Sequence, residues 1–198
     1  MKQEIEIEFK NLVTKQEFDE LIAHFNIGEE DFITQDNHYF DTTSFSLKDC
    51  GAALRIRYKK GGYVLTLKQP HEQGLLETHQ FLTEDEAKAF MNGQVHVTGK
   101  IRELIERLGV DVTELLYFGT LTTRRVEKPY KDGLLVFDHS LYLEKEDYEL
   151  EYEVKNAKEG KENFKQLLHS LHIPIRKTEN KIRRFYREKY IALSEESS

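Results

Sequence analysis

The chain has 198 residues, a formal net charge of −7, a single cysteine and about a third of its residues charged. That acidic balance argues against generic DNA or RNA binding, which runs on basic surface, and a lone Cys50 excludes an intramolecular disulfide and fits a reducing cytosol. No apolar run approaches the ~18 residues of a membrane span, and the first residues form a charged strand, not a signal peptide, so a soluble cytoplasmic protein without a membrane partner is expected.

In chain order, EIEIEFK alternates Glu4, Glu6, Glu8 and Lys10 with Ile5, Ile7 and Phe9, the period-2 pattern of a half-buried strand. TKQEFDELIAHF follows as an amphipathic helix, with Thr14 and Glu17 spaced as a capping box. DNHYFDT reads as a short strand, and LRIRY and YVLTLK read as a hairpin around KKGG. The two glycines there are turn residues, because no strand–GxxxxGK[ST]–helix pattern occurs anywhere. LLETHQFL is a further strand, and Thr83 and Glu86 form a second capping box before TEDEAKAFM. KIRELIERLG is a helix stopped by Gly109. Strands return with GTLTTRRVEK, GLLVFDHSLYL and DYELEYEVK; KENFKQLLHSLH is a helix that closes near Pro174. KIRRFYREKYIAL is expected as a last helix, a strand being the weaker reading. Seven or eight strands with a few helices predict an α+β fold on a large antiparallel sheet, in one domain over residues 1–190 with a flexible tail at 191–198.

The strand faces carry the chemistry. Arg55 and Arg57 share a face, Lys68 shares one with Thr66, and Glu77 with His79. Asp138 lies on one face of its strand, and Glu149, Glu151 and Glu153 line one face of theirs. Charges on one strand face are ordinarily just solvated. Here two strands present triple carboxylates while LRIR and TLK present cations, and adjacent like charges destabilise a sheet unless something neutralises them. Carboxylates without cysteine or paired histidine ligands suit hard cations such as Mg²⁺ or Mn²⁺. Arginine and lysine suit phosphate oxygens. A divalent metal carrying a polyphosphate satisfies both. If the apolar faces pack against helices, the ionic faces meet around a wet interior, which a closed antiparallel barrel provides without an open edge.

With these residues in place the chain resembles the CYTH superfamily, the triphosphate tunnel metalloenzymes, and within it the small bacterial stand-alone members. Glu6, Glu8 and Lys10 match its ExExK signature. Tyr39–Thr42 match YFDT; Leu47, Gly51, Ala53 and Leu54–Arg57 match LxxxGxALRIR; Thr66–Lys68 match TLK. Arg124 or Arg125, Asp138, the Glu149–Glu151–Glu153 ladder, and Lys181 with Arg184 complete an ordered set over nearly the whole chain. Leu75 departs from it, standing where members often carry a basic residue, as does His79, where a second carboxylate is frequent.

The resemblance implies a closed antiparallel β-barrel of about eight strands forming a charged tunnel, with helices packed outside. It implies cleavage of a triphosphate-containing small molecule with Mg²⁺ or Mn²⁺. Glu6, Glu8, Asp138, Glu151 and Glu153 are the expected metal ligands, with Glu4 and Glu149 at the tunnel rim. Lys10, Arg55, Arg57, Lys68, Arg125, Lys181 and Arg184 are the expected phosphate-binding cations; Arg124 and Arg125 point to opposite faces, and Arg125 is taken as the inward one. Glu6, Glu8 and Lys10 are the expected catalytic group, Lys10 alternatively pairing with a neighbouring glutamate. The expected activity is hydrolysis of inorganic tripolyphosphate, or of thiamine or nucleoside triphosphate. With no recognisable base or ribose motif, the smallest triphosphate is favoured. An adenylyl cyclase and a non-catalytic polyphosphate-binding module are the alternatives.

Overall fold

A computed structural model describes residues 2–59 and 61–196, with side chains as far as Ile191. Eight strands, β1 (Lys2–Val13), β2 (Ile33–Asp41), β3 (Ala53–Lys59), β4 (Gly62–His71), β5 (Gly74–Leu82), β6 (Leu116–Tyr130), β7 (Gly133–Tyr142) and β8 (Lys145–Val154), close a barrel in the order β1-β5-β4-β3-β2-β6-β7-β8. Six helices accompany them among the described residues: α1 (Lys15–His24), α2 (Ser46–Asp49), α3 (Glu84–Met91), α4 (Gly99–Arg107), α5 (Ala157–Ser170) and α6 (Lys181–Glu196). The expected α+β barrel with helices packed outside is the observed fold. No described helix is long and apolar enough to cross a membrane.

The chain packs as two compact units. One holds the residues up to Glu6 and Asp36–Leu121, the other Ile7–Gln35 and the chain from Thr122 onward. β1 contributes to each: Lys2–Glu6 register with β5, and Ile7–Val13 with β8.

In the first unit, β3, β4 and β5 form a continuous antiparallel meander. Their period-2 pattern turns Leu54, Ile56, Leu65, Leu67 and Leu82 to one side, where they pack with Ala87 and Phe90 of α3 and Ile101, Leu104 and Ile105 of α4. Arg55, Arg57, Thr66, Lys68, Glu77 and His79 are thereby turned to the other face. The β3–β4 turn uses Gly61 at φ +83°, a left-handed conformation that favours glycine; Lys60 lies outside the described residues. Thr83 and Glu86 form the expected capping box of α3.

In the second unit, β6, β7 and β8 form the corresponding meander. Val126, Leu135, Phe137, Tyr148, Leu150 and Tyr152 pack with Phe18 and Leu21 of α1 and Phe164, Leu167 and Leu168 of α5. The opposite face carries Arg125, Asp138, Glu149, Glu151 and Glu153. α6 buries Ile182, Phe185 and Tyr186, as its helical stripe requires. It runs through Glu196, past the expected domain end at 190, while Ser197 and Ser198 lie outside the described residues.

Glu17 ties α1 to the segment that follows α5. Its carboxylate accepts from the Thr14 backbone N–H at 2.8 Å and takes both Nη atoms of Arg176 at 2.7 and 2.8 Å. The Arg176 hydrogen bond holds its pKa below the ordinary carboxylate value, against a smaller upward push from burial. Glu17→Gln is expected to cost about 1–2 kcal/mol at pH 7, since a cap and a charge-assisted bidentate pair are both weakened. A depressed folded-state pKa contributes stability that is present above the unfolded value and lost as pH falls through the folded one. Denaturant unfolding from pH 7 down to pH 3 should therefore show the gap between the two proteins narrowing on the acid side of pH ~4.5.

Candidate functional site

The charged residues singled out in the sequence gather into two clusters, one in each unit. In the first, the register sets Arg55 beside Thr66 and Thr66 beside His79, with Lys68 beside Glu77 and Glu77 beside Glu4. Glu77 is buried, with one carboxylate oxygen 3.7 Å from both Arg55 Nη2 and Lys68 Nζ. Burial raises its pKa, but the charges of Arg55, Lys68, His79 and Arg57 outweigh burial and the net shift is downward. Lys68 also pairs with Glu6. Arg57 donates from Nε to Asn37 Oδ1 at 2.7 Å, and Asn37 in turn donates to the Leu121 carbonyl at 3.3 Å. His79 places Nδ1 2.9 Å from Thr66 Oγ1 and Nε2 3.0 Å from Glu4 Oε1. Glu77 and His79, which lacked a role in the sequence, are thus integral to this charged face. Their shared parity with the Arg–Lys strands was the available signal.

The second cluster is more deeply buried. Arg125 and Asp138 are directly opposite in the β6–β7 register. The guanidinium forks onto Asp138 at 2.7 and 2.6 Å and reaches Glu151 at 3.2 Å. Lys181, the first residue of α6, pairs with Asp138 and lies 3.7 Å from Glu149 Oε1 and 3.8 Å from Glu151 Oε1. Asp138, Glu149 and Glu151 each offer an oxygen within 4.8 Å of the other two. Lys10 is 2.5 Å from Glu8, and Glu8 registers with Glu153, so that strand-face pairing is local. Arg125 is the inward arginine; Arg124 points the other way, its guanidinium over the Phe32 ring and paired with Glu29.

Burial and charge set the protonation states here. Burial pushes Glu151 up, yet Lys181, Arg125 and Lys10 more than reverse this and hold it well below the usual range. Asp138 is likewise lowered, burial being overcome by Arg125 and Lys181. Glu149 goes the other way: burial, with the Glu151 carboxylate alongside, pushes it up to about 7 in spite of Lys181 and Arg184. Its Oε1 is buried with no hydrogen-bond partner among the described residues. An unsatisfied buried acceptor of this kind marks a place where a cation or proton is wanted.

Two expectations change. Glu149 was expected at a tunnel rim, but it is fully buried beside Asp138 and Glu151. It shares their strand face by period 2, which was legible; its depth was not, because depth depends on the elements covering β8. Arg184 was expected to bind phosphate. It is 4% exposed and spends four N–H donors on Asp147 Oδ1 and Oδ2, Glu149 Oε2 and the Glu179 carbonyl. Position i+3 from Lys181 puts both cations on one side of α6, and Arg184 anchors the helix to β8.

The arrangement of ordered acidic and basic strand faces has counterparts among known proteins. The CYTH domain model matches residues 4–186. A Bacillus subtilis protein named "Putative triphosphatase YjbK" is 52% identical over 189 residues, covering 96% of this chain and 98% of that protein. A Bacillus halodurans crystal structure described as a putative adenylate cyclase is 44% identical, covers 94% of this chain and all of its own, and superposes with a TM-score of 0.89. A Hippeastrum protein, HpAC1, described as a putative adenylyl cyclase with a dominant triphosphatase activity, shares the fold at 21% identity, over 93% of this chain and 96% of its own, with a TM-score of 0.74. The family match over nearly the whole length, and a relative more than half identical across it, establish that this chain belongs to the CYTH domain family.

Proposed function

We propose that this protein is a divalent-metal-dependent triphosphatase, hydrolysing the terminal phosphoanhydride of a small triphosphate-containing molecule. The observation that carries the reading is the buried Asp138–Glu149–Glu151 cluster, in which one Glu149 oxygen accepts no hydrogen bond. Three hard oxygen donors with no sulfur ligand fit Mg²⁺ or Mn²⁺, and the triphosphatase name of the 52% identical relative supports the activity.

In this reading Asp138, Glu149 and Glu151 hold the metal, with Glu8 and Glu153 on the paired strand faces as further ligands. When bound, the ion screens phosphate charge and makes a water more acidic. The chain supplies the rest. In the second unit Lys10, Arg125 and Lys181 bind phosphate oxygens, and Arg125 has the planar fork suited to two oxygens at once; Arg55, Arg57 and Lys68 give the first unit a phosphate-binding face of its own. The ion pairs of these cations with Glu77, Asp138 and Glu151 keep them oriented without substrate, so little ordering is required on binding.

The direct test is incubation of the purified protein with tripolyphosphate, ATP and thiamine triphosphate, each with Mg²⁺, Mn²⁺ or chelator, followed by chromatographic identification of products. Orthophosphate released with metal and not with chelator is expected. The Bacillus halodurans relative's description as a cyclase favours one second reading: cyclic AMP and pyrophosphate as the main products from ATP would establish that reading instead. Arg55→Ala is expected to lower kcat/KM by roughly 10–150-fold, the worth of a charge-assisted contact of about 1.5–3 kcal/mol. Thermal unfolding of the same variant separates the roles, because a collapse in Tm with little kinetic effect would make Arg55 a structural partner of Glu77.

A further inference from the structure

Lys181 lies against all three carboxylates of the second cluster at once. Its ammonium pairs with Asp138 and stands 3.7 Å from Glu149 Oε1 and 3.8 Å from Glu151 Oε1. These are the same carboxylates whose oxygens come within 4.8 Å of one another. The Lys181 side chain is 13% exposed, so its charge is enclosed with theirs. The fit is poor. Of the three contacts only the one to Asp138 is a hydrogen bond, and Glu149 Oε1 accepts none. A hard divalent cation draws carboxylate oxygens to roughly 2.0–2.6 Å, so an ammonium and a metal ion cannot share one set of three. Charge points the same way. Asp138, Glu149 and Glu151 are matched by Arg125, Lys181 and Arg184. A divalent ion added to that balanced, buried set leaves two positive charges in excess, which is costly unless a polyanion arrives with it.

We propose that Lys181 competes with the metal for Asp138, Glu149 and Glu151, and that a triphosphate relieves the competition by taking the ammonium onto its own oxygens. Metal and triphosphate then bind as a coupled pair, each weakly without the other, a refinement that rests on the triphosphatase reading for both ligands. Lys181 is the cation suited to the exchange. Arg125 is fixed on Asp138 by two hydrogen bonds of 2.7 and 2.6 Å, and Arg184 is fixed on Asp147, Glu149 and the Glu179 carbonyl. Arg184 therefore keeps α6 in place while the flexible four-carbon stem of Lys181 changes partners. Lys181 is also the first residue of α6, where the helix dipole disfavours a positive charge, so its own helix does not hold it on the carboxylates.

The experiment is calorimetric Mn²⁺ titration of full-length wild type, Lys181→Met, Lys181→Gln and Lys181→Arg without phosphate, with circular dichroism as the check on folding. Both uncharged variants should bind Mn²⁺ about 5- to 150-fold tighter than wild type, the usual span of coupling between two ligands, and Lys181→Arg should stay near wild type. KM for tripolyphosphate should rise in the uncharged variants, so that the two affinities move in opposite directions. In wild type, a β,γ-methylene ATP analogue should strengthen Mn²⁺ binding beyond what the Mn²⁺–analogue complex in buffer accounts for. Mn²⁺ affinity unchanged or weakened in the folded uncharged variants, or no such gain in wild type, overturns the competition. A raised KM alone would leave Lys181 a phosphate ligand, and a lowered Tm alone would leave it a structural partner of Asp138. Tighter Mn²⁺ binding by the variants with no hydrolysis by wild type would sink the triphosphatase reading and leave the competition standing. No Mn²⁺ binding by any of the four proteins would remove both.

Discussion

Glu151→Gln is expected to reduce metal-dependent phosphate release by on the order of 100-fold or more, the scale of losing a metal ligand charge in a hydrolytic site. The substitution keeps shape and removes only the negative charge. That charge is held well below the usual carboxylate range by Lys181 and Arg125 against burial, so it is present at every working pH. Asp138 retains Arg125 and Lys181 as partners, so the cluster keeps its main ion pairs. Phosphate release at saturating Mn²⁺, with calorimetric Mn²⁺ titration and circular dichroism, checks the effect. Wild-type turnover and wild-type Mn²⁺ affinity in a folded variant would remove Glu151 from the metal site.

Arg184→Ala is expected to act on stability. It removes one of the partners of Asp147, which keeps the Tyr142 hydroxyl, and one of the partners of Glu149, which is fully buried. Breaking a buried pair from one side costs about 3–5 kcal/mol. In a chain of this size that corresponds to a Tm lower by roughly 6–20 °C. Arg184→Lys should recover only part of it, because an ammonium lacks the fork that reaches Asp147 and Glu149 together. Denaturant unfolding with an unchanged m-value and a lower midpoint would confirm a stability effect. A Tm within about 2 °C of wild type, with a raised KM for triphosphate, would return Arg184 to the phosphate-binding cations.

The strand faces of this protein were determined by its sequence alone. Period-2 alternation in EIEIEFK, LRIR and YELEYEV assigns each side chain to a face whatever surrounds the strand, because successive Cβ atoms point opposite ways. The capping boxes at Thr14–Glu17 and Thr83–Glu86 are similarly local, since a cap involves residues three apart. That is why the opposite faces of Arg124 and Arg125, and the Glu149–Glu151–Glu153 ladder, were legible, while which arginine turns inward was settled by its pairing with Asp138. Depth and pairing were decided by tertiary structure. Glu149 and Glu153 share one strand face, yet one is fully buried and the other half-buried. Arg184 and Lys181 are both basic and one turn apart, yet one is enclosed by Asp147, Glu149 and Glu179 while the other reaches three carboxylates. Parity is a property of one strand. Burial and electrostatic partnership depend on which elements, distant in the chain, are folded against it.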